Sequence, residues 1–234
     1  MSAPLASDDY KHQDRIEFQI DRLILFTDAV FAIAITLLAI EIRVPELHHL
    51  SNHEAQIALL RLIPKFVGFL VGFFVIAVYW VAHHRLFRFV RHYDDRLLWL
   101  NILFLLSIVL MPFTSGFYSE YTTLNTPFIL YCISVMATGL LQMRLQSALR
   151  NPSRGYVHPS MVAHPDLDLV RPLVAIVAFG LSILLAMATP LTWPSRMVPI
   201  LIFPMMMLYA RRHRRLQREF EARATPTPEA TEVA

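Results

Sequence analysis

The amino-acid sequence predicts an all-α fold, an integral membrane bundle of six transmembrane helices with both termini on the cytoplasmic side. Three observations carry this expectation. The chain of 234 residues is 56% hydrophobic and only 17% charged, whereas soluble domains average roughly 45–50% apolar and about 25% charged residues. Its apolar residues fall into six runs of the length that a bilayer core requires, about 20 residues each. Its lysines and arginines alternate between the gaps separating those runs in the manner of membrane topology.

Residues 1–21 are polar and form a cytoplasmic N-terminal segment, with no signal-peptide pattern because Ser7, Asp8, Asp9, Asp14 and Glu17 precede the first apolar run. The first span runs from Leu23 to Ile42 and the second from Leu62 to Ala82. The third, Leu97 to Ser119, contains Pro112, which predicts a kink. The fourth covers Pro127 to Leu145, and the fifth Leu173 to Leu191, just after Pro172. The sixth, Trp193 to Ala210, carries Pro194, Pro199 and Pro204 and is the least regular, since each proline removes a backbone donor. Residues 22–212 form the membrane domain. Residues 213–234 are a cytoplasmic basic segment followed, from Glu219, by a tail with the composition of a disordered chain.

Orientation follows from the basic residues. With the N-terminus inside, the inner segments hold 17 of the 21 lysines and arginines, and the outer ones only Arg43, Arg61, Lys65 and Arg196. The bias supports an even number of spans, and a soluble bundle would show none. It also removes nucleic acid as an explanation for the net charge of +3, because the basic groups flank apolar runs. Cys132 lies within an apolar run and serves as a small packing residue.

The first span is unusual because it carries Asp28 about one and a half turns inside its start. An Asp at a helix centre costs about 2.5–3.5 kcal/mol on insertion scales, less near an end. Arg22, six residues away and about 240° around the helix, leaves from another face, so the partner of Asp28 must lie on another helix. Trp80, His83 and His84 at the cytoplasmic end of the second span and Asn101 in the third lie at the same depth, which predicts a polar cluster tying three helices together. Asp28 then either clamps helices or binds and transfers an ion, and Asp28→Ala damages assembly or function in both cases. Further along, Ile33, Leu37 and Ile40 are spaced by four and three residues and form one stripe, with Thr36 beside it. Such a stripe either packs against a neighbour or lines a pore, where rings of apolar side chains gate by dewetting and Thr36 adds a hydroxyl ring.

Arg22-x-x-x-Phe26-Thr27-Asp28 followed by Ala-Val-Phe-Ala-Ile-Ala-Ile-Thr-Leu-Leu resembles the signature first helix of the transmembrane protein 175 family of potassium channels, whose motif is Arg-x-x-x-Phe-Ser-Asp. Tyr79-Trp80-x-x-His83-His84-Arg85-Leu86-Phe87 resembles the end of the family's second helix. The one departure is Thr27 in place of Ser, which keeps the hydroxyl and adds a methyl. The resemblance is to the prokaryotic single-repeat type. It implies a homotetramer in the plasma membrane, with potassium as permeant ion, no cofactor, and a pore lined by the first helix. It places the apolar constriction at Ile33, with Thr36, Leu37 and Ile40 along the same path, and gives Arg22, Phe26, Thr27 and Asp28 a bracing role. The usual Thr-Val-Gly-Tyr-Gly filter is absent, so modest selectivity is expected.

Competing chemistries fare less well. No catalytic triad, P-loop or dinucleotide fingerprint is present, so no enzyme is expected. His83, His84 and His92 invite a metal, but adjacent helical histidines point about 100° apart and do not share an ion. His48, His49 and His53 share the first outer loop with Glu46 and Glu54 as solvated residues. Glu41 is an interfacial carboxylate near Arg43 or a charge ring at the pore mouth. The alternative function is a proton-coupled secondary transporter using Asp28, against which the first helix, with neither Gly nor Pro, offers no point of unwinding. A scaffold or sensor without flux is a third possibility.

Overall fold

A computed structural model describes residues 5–47, 51–189 and 192–224. They form an all-helical bundle with α1 at Leu5–Ile40, α2 at Asn52–Phe87, α3 at Asp95–Glu120, α4 at Asn125–Leu149 and α5 at Val170–Ala188. Two helices follow, α6 at Thr192–Met197 and α7 at Ile202–Ala224, joined by a 3-10 segment over Val198–Leu201. The α1–α5 helices are long and apolar enough to cross a membrane, α1 from Phe18 onward.

Several boundaries differ from those expected. Hydropathy ends a span at its first polar residues, but backbone hydrogen bonding continues until a Gly, Pro or cap stops it. Between Leu5 and Ile40 there is neither Gly nor Pro, so the polar N-terminal segment is not separate but forms the first turns of α1. Similarly, α2 begins ten residues before Leu62, where the Ser51 hydroxyl accepts the Glu54 N–H at 3.2 Å. His53 and Glu54 therefore belong to the first turn of α2, not to a loop, while His48 and His49 lie outside the described residues. At the other end, the expected sixth span is not one helix, and the break at 198–201 coincides with Pro199. The basic segment does not give way to a tail at Glu219. The helix runs on to Ala224, supported by an Arg215–Glu219 pair at 3.0 Å and by Phe220 edge-on to His164 at 5.1 Å. α3 is continuous through Pro112.

α3 is the central element. It packs against α1, α2 and α4, while α4 carries α5, which in turn carries the C-terminal helices. α1 lies at the edge of this arrangement, touching α2 and α3 along one side. The core runs through Phe31, Ile76, Leu97, Phe104 and Ile108, all 1% exposed or less. α2 and α3 approach closely where Gly68-x-x-x-Gly72 meets Ser115-x-x-x-Ser119. A Cβ on Gly68 would stand 2.8 Å from Ser119 Cβ, and one on Gly72 2.8 Å from Ser115 Oγ. Small residues at four-residue spacing permit such contact between membrane helices, where packing replaces the hydrophobic effect.

The segment between α4 and α5 is built of three 3-10 turns, Pro152–Arg154, Pro159–Met161 and Pro165–Leu167. Each opens with a proline after a side chain that caps it, namely Asn151, His158 and His164. Gly155 closes the first turn at φ 67°, a left-handed conformation suited to glycine. Tyr156 anchors the segment. Its backbone carbonyl accepts the Arg91 N–H at 2.9 Å, and its hydroxyl donates to Asp94 Oδ1 at 2.7 Å. Asp94 is the N-cap of α3, and its carboxylate also accepts the Leu97 N–H at 2.9 Å. The bonds from Leu97 and Tyr156 hold the Asp94 carboxyl below the usual carboxylate range.

Candidate functional site

The two faces of α1 are chemically distinct. Leu23, Thr27, Phe31, Ala34 and Leu38, at steps of four, four, three and four, are buried against α2 and α3. Ile33, Thr36, Leu37 and Ile40 lie on the opposite face and are exposed, Ile33 to 59% and Ile40 to 70%. The Thr36 hydroxyl donates back to the Ile33 carbonyl at 2.8 Å, leaving its oxygen outward with its lone pairs available.

The buried face is fixed by a chain of polar groups. The Thr27 hydroxyl donates to the Leu23 carbonyl at 2.9 Å, so its oxygen remains as acceptor for Asn101 Nδ2 at 3.0 Å. That orients the amide so that Asn101 Oδ1 faces His83 Nε2 at 2.8 Å. An acceptor there requires the proton of His83 on Nε2. The ring is clasped between Phe87, stacked at 4.0 Å, and Phe104, near-parallel at 5.3 Å. Thus α1, α3 and α2 are tied in that order by two interhelical hydrogen bonds, with Thr27, His83 and Asn101 all 2% exposed or less.

Asp28 is separate from this chain. About 100° around the helix from Thr27, it accepts the indole N–H of Trp80 through Oδ1 at 2.8 Å. His84 lies against the same indole, ring centres 5.6 Å apart. The structure thus brings together Thr27, Asn101 and His83 in one group and Asp28, Trp80 and His84 in a second. It does not bring Arg22 or Phe26 to either. Phe26 is 55% exposed on the side of Ile33, and among the described residues Arg22 reaches only the Phe18 ring, 6.0 Å from its centroid. Among those residues no hydrogen bond or ion pair of Arg22 and no burial of Phe26 stands behind the expected bracing role within one chain.

Glu41 folds against α3, where a Cβ on Gly116 would stand 2.8 Å from its carboxyl carbon. It shares a small crevice with Lys65, which is paired at 2.6 Å with Glu120. His92 is exposed, and among the described residues no three His, Cys, Asp or Glu side chains converge as metal ligands. The Gly68/Gly72 and Ser115/Ser119 contact was not anticipated from the sequence, although the four-residue spacing of small residues inside apolar runs was the available signal. Neither was the Tyr79 hydroxyl, which donates to the Val135 carbonyl of α4 at 2.8 Å.

Long apolar helices, a buried polar lock across three of them, and an open face on the edge helix define a multi-pass helical membrane protein. Within that class, residues 22–112 match the sequence model of the family described as endosomal/lysosomal potassium channel TMEM175. Over 100 residues the chain is 40% identical to a potassium channel of Chamaesiphon minutus, a stretch making up 43% of this chain and 49% of the relative. It is 37% identical over 100 residues to a potassium channel of Streptomyces collinus, covering 43% and 48% of the two chains. The matched stretch thus spans about half the length of these relatives. The endosomal/lysosomal proton channel TMEM175 of Mus musculus is 28% identical over 180 residues, 70% of this chain and 36% of the mouse protein. The fold superposes on the crystal structure of a TMEM175 homologue from Chamaesiphon minutus with a TM-score of 0.67 and 26% identity, covering 83% of this chain and 98% of that one.

Proposed function

We propose that this protein is a potassium-permeable cation channel formed by four copies around a central axis, each contributing the open face of α1. The observation that carries this is the placement of α1 at the edge of the bundle. One face is locked to α2 and α3, while the face with Ile33, Thr36, Leu37 and Ile40 is left exposed by the described residues of its own chain. Lipid alone could cover an apolar face. A threonine oxygen left outward at Thr36 favours a path that holds water and ions. On this reading Ile33 forms an apolar constriction that closes by dewetting, and hydroxyls at Thr36 meet a partly dehydrated ion beyond it. The relatives named as potassium channels support the choice of ion.

The same reading gives six crossings in the plasma membrane, with both termini in the cytoplasm, in keeping with the distribution of Lys and Arg. The broken segment from Thr192 to Ala210 supplies the sixth. If collinear, α6, the 3-10 segment and the start of α7 reach about 30 Å, the thickness of the hydrocarbon core. Asp28 sits on the locked side with one oxygen engaged by Trp80, which favours a bracing role over that of a carrier's proton site.

Recording from purified protein in planar bilayers, with potassium on one side and sodium on the other, tests the proposal. Single-channel currents reversing toward the potassium potential support it, and silence from folded, oligomeric protein refutes it. Proton permeation is the second reading, favoured by the name of the mouse relative. A pH gradient without potassium in the same bilayer separates the two, and cross-linking counts the copies.

A further inference from the structure

Where α2 ends and α5 begins, α7 crosses a cavity of about 190 Å³, more than ten times the roughly 10–15 Å³ that one water needs. Arg85, Arg171 and Arg214 line it from three different helices, with Tyr209, Met206 and Ala210 completing the wall on α7. Among the described residues none of these three arginines makes a hydrogen bond or an ion pair, and Arg171 is half-buried. The nearby acidic groups balance them only in part. Asp166 is engaged by Arg88 on one oxygen and by Nε2 of His213, another lining residue, at 2.9 Å on the other. Asp168 accepts the Val170 N–H at 3.3 Å through Oδ1, and its Oδ2 is buried without a partner. Three guanidiniums held around one hollow repel one another, and an anion in the middle would turn that repulsion into attraction.

We propose that this cavity binds a phosphate group. Planar guanidiniums present paired N–H donors that match phosphate oxygens, and the Tyr209 hydroxyl offers one more. The phosphate could belong to the headgroup of an anionic phospholipid or to a soluble ion. Met206 and Ala210 give the cavity an apolar edge that would seat the start of a lipid's glycerol backbone, while a free phosphate would use the polar wall alone. None of the residues lining the cavity lies on α1.

The test uses the full chain in nanodiscs of neutral phosphatidylcholine. Phosphatidylglycerol is titrated into the discs in one arm and inorganic phosphate into the buffer in the other, with thermal melting and native mass spectrometry as readouts. We expect retention of phosphatidylglycerol and a rise in melting temperature. Arg85→Gln with Arg171→Gln should weaken both about tenfold or more, as the loss of two basic side chains facing one anion implies. Arg91→Gln with Arg150→Gln removes the same charge from exposed positions away from the cavity and should leave binding unchanged. Saturation by inorganic phosphate alone would support the site and assign it to a soluble ion. Equal losses in the two double variants would reduce the effect to diffuse surface charge and overturn the proposal, as would retention of neither ligand. Without any anion, the cavity variant should melt no lower than the wild type, because it relieves repulsion. A lower melting temperature would mean that the arginines serve an internal partner, against the proposal.

Discussion

Asn101→Leu is the perturbation that most directly tests the lock between α1, α2 and α3. Leucine keeps the forked outline of asparagine at a larger volume, so the change removes hydrogen bonds without opening a void. Two interhelical bonds are lost, one to Thr27 at 3.0 Å and one to His83 at 2.8 Å. Interhelical side-chain bonds in membrane proteins average about 0.6 kcal/mol and reach about 1.7, which gives roughly 1–3 kcal/mol for the pair. The loss should fall in the upper half of that range, because the His83 N–H is stranded between Phe87 and Phe104 with no water to replace its acceptor. Thr27 suffers less, since its hydroxyl keeps the Leu23 carbonyl. Detergent-driven unfolding of the reconstituted chain would measure the difference. Thr27→Val, which removes the first bond together with the intrahelical one to the Leu23 carbonyl, completes a double-mutant cycle. A coupling of about 0.6 kcal/mol between positions 27 and 101 is expected. If Asn101→Leu unfolds within about 0.3 kcal/mol of the wild type, or if the two changes simply add, the polar chain does not hold the helices together. Thr27→Ser should preserve the coupling because the hydroxyl remains.

Four further outcomes can be stated. Trp80→Phe deletes the donor to Asp28 and should cost about 1.5 kcal/mol, the low end for a bond to a charged group because the site is half open; Asp28→Asn keeps an acceptor there and should unfold with a smaller loss. Gly68→Ala drives a Cβ into Ser119 Cβ, which cannot rotate away, so separation of α2 and α3 should cost about 1–3 kcal/mol, whereas at Gly72 the opposing Ser115 Oγ can swing aside. Asp94 has its folded-state value depressed, so its contribution is present above the unfolded carboxylate value of about 3.9 and fades as pH falls through the lower folded value; Asp94→Ala should remove that acid-dependent loss and cost about 1 kcal/mol at neutral pH in a melting series. Ile33→Asn should raise conductance or change gating in bilayer recordings, and unchanged currents would count against Ile33 as the constriction.

The depth argument made Asp28, Trp80, His83, His84 and Asn101 recognisable as neighbours in the sequence, while Thr27 entered only through the family resemblance. Their pairing was not recognisable, because successive residues of α1 leave 100° apart and the choice of partner depends on how α2 and α3 rotate about their axes. The open stripe at Ile33, Leu37 and Ile40 was legible as a period; that the rest of the chain leaves it uncovered is a property of packing alone. The lengths of α1 and α2 escaped hydropathy because their polar ends remain helical outside the apolar stretch. The segment Pro152–Leu167 escaped for the opposite reason. Its structure comes from side-chain caps and a buried Tyr156, which have no periodicity to read. The resemblance drew Arg22 and Phe26 into a bracing set, yet the chain places both on the open side of α1.

The division of labour along α1 also bears on how such a protein can change. Positions 23, 27, 31, 34 and 38 secure the helix, while 33, 36, 37 and 40 are exposed and lie outside the buried core. In the proposed channel, substitutions in the second set carry little folding penalty within one copy and are filtered mainly by assembly and by transport. On that proposal a lineage could explore apolar, hydroxylated or larger side chains at these four places and alter what crosses the membrane while the scaffold stays as it is. Variation should accordingly be rich on one side of this helix and sparse on the other, with Thr27 tolerating only residues that keep an oxygen in the same place.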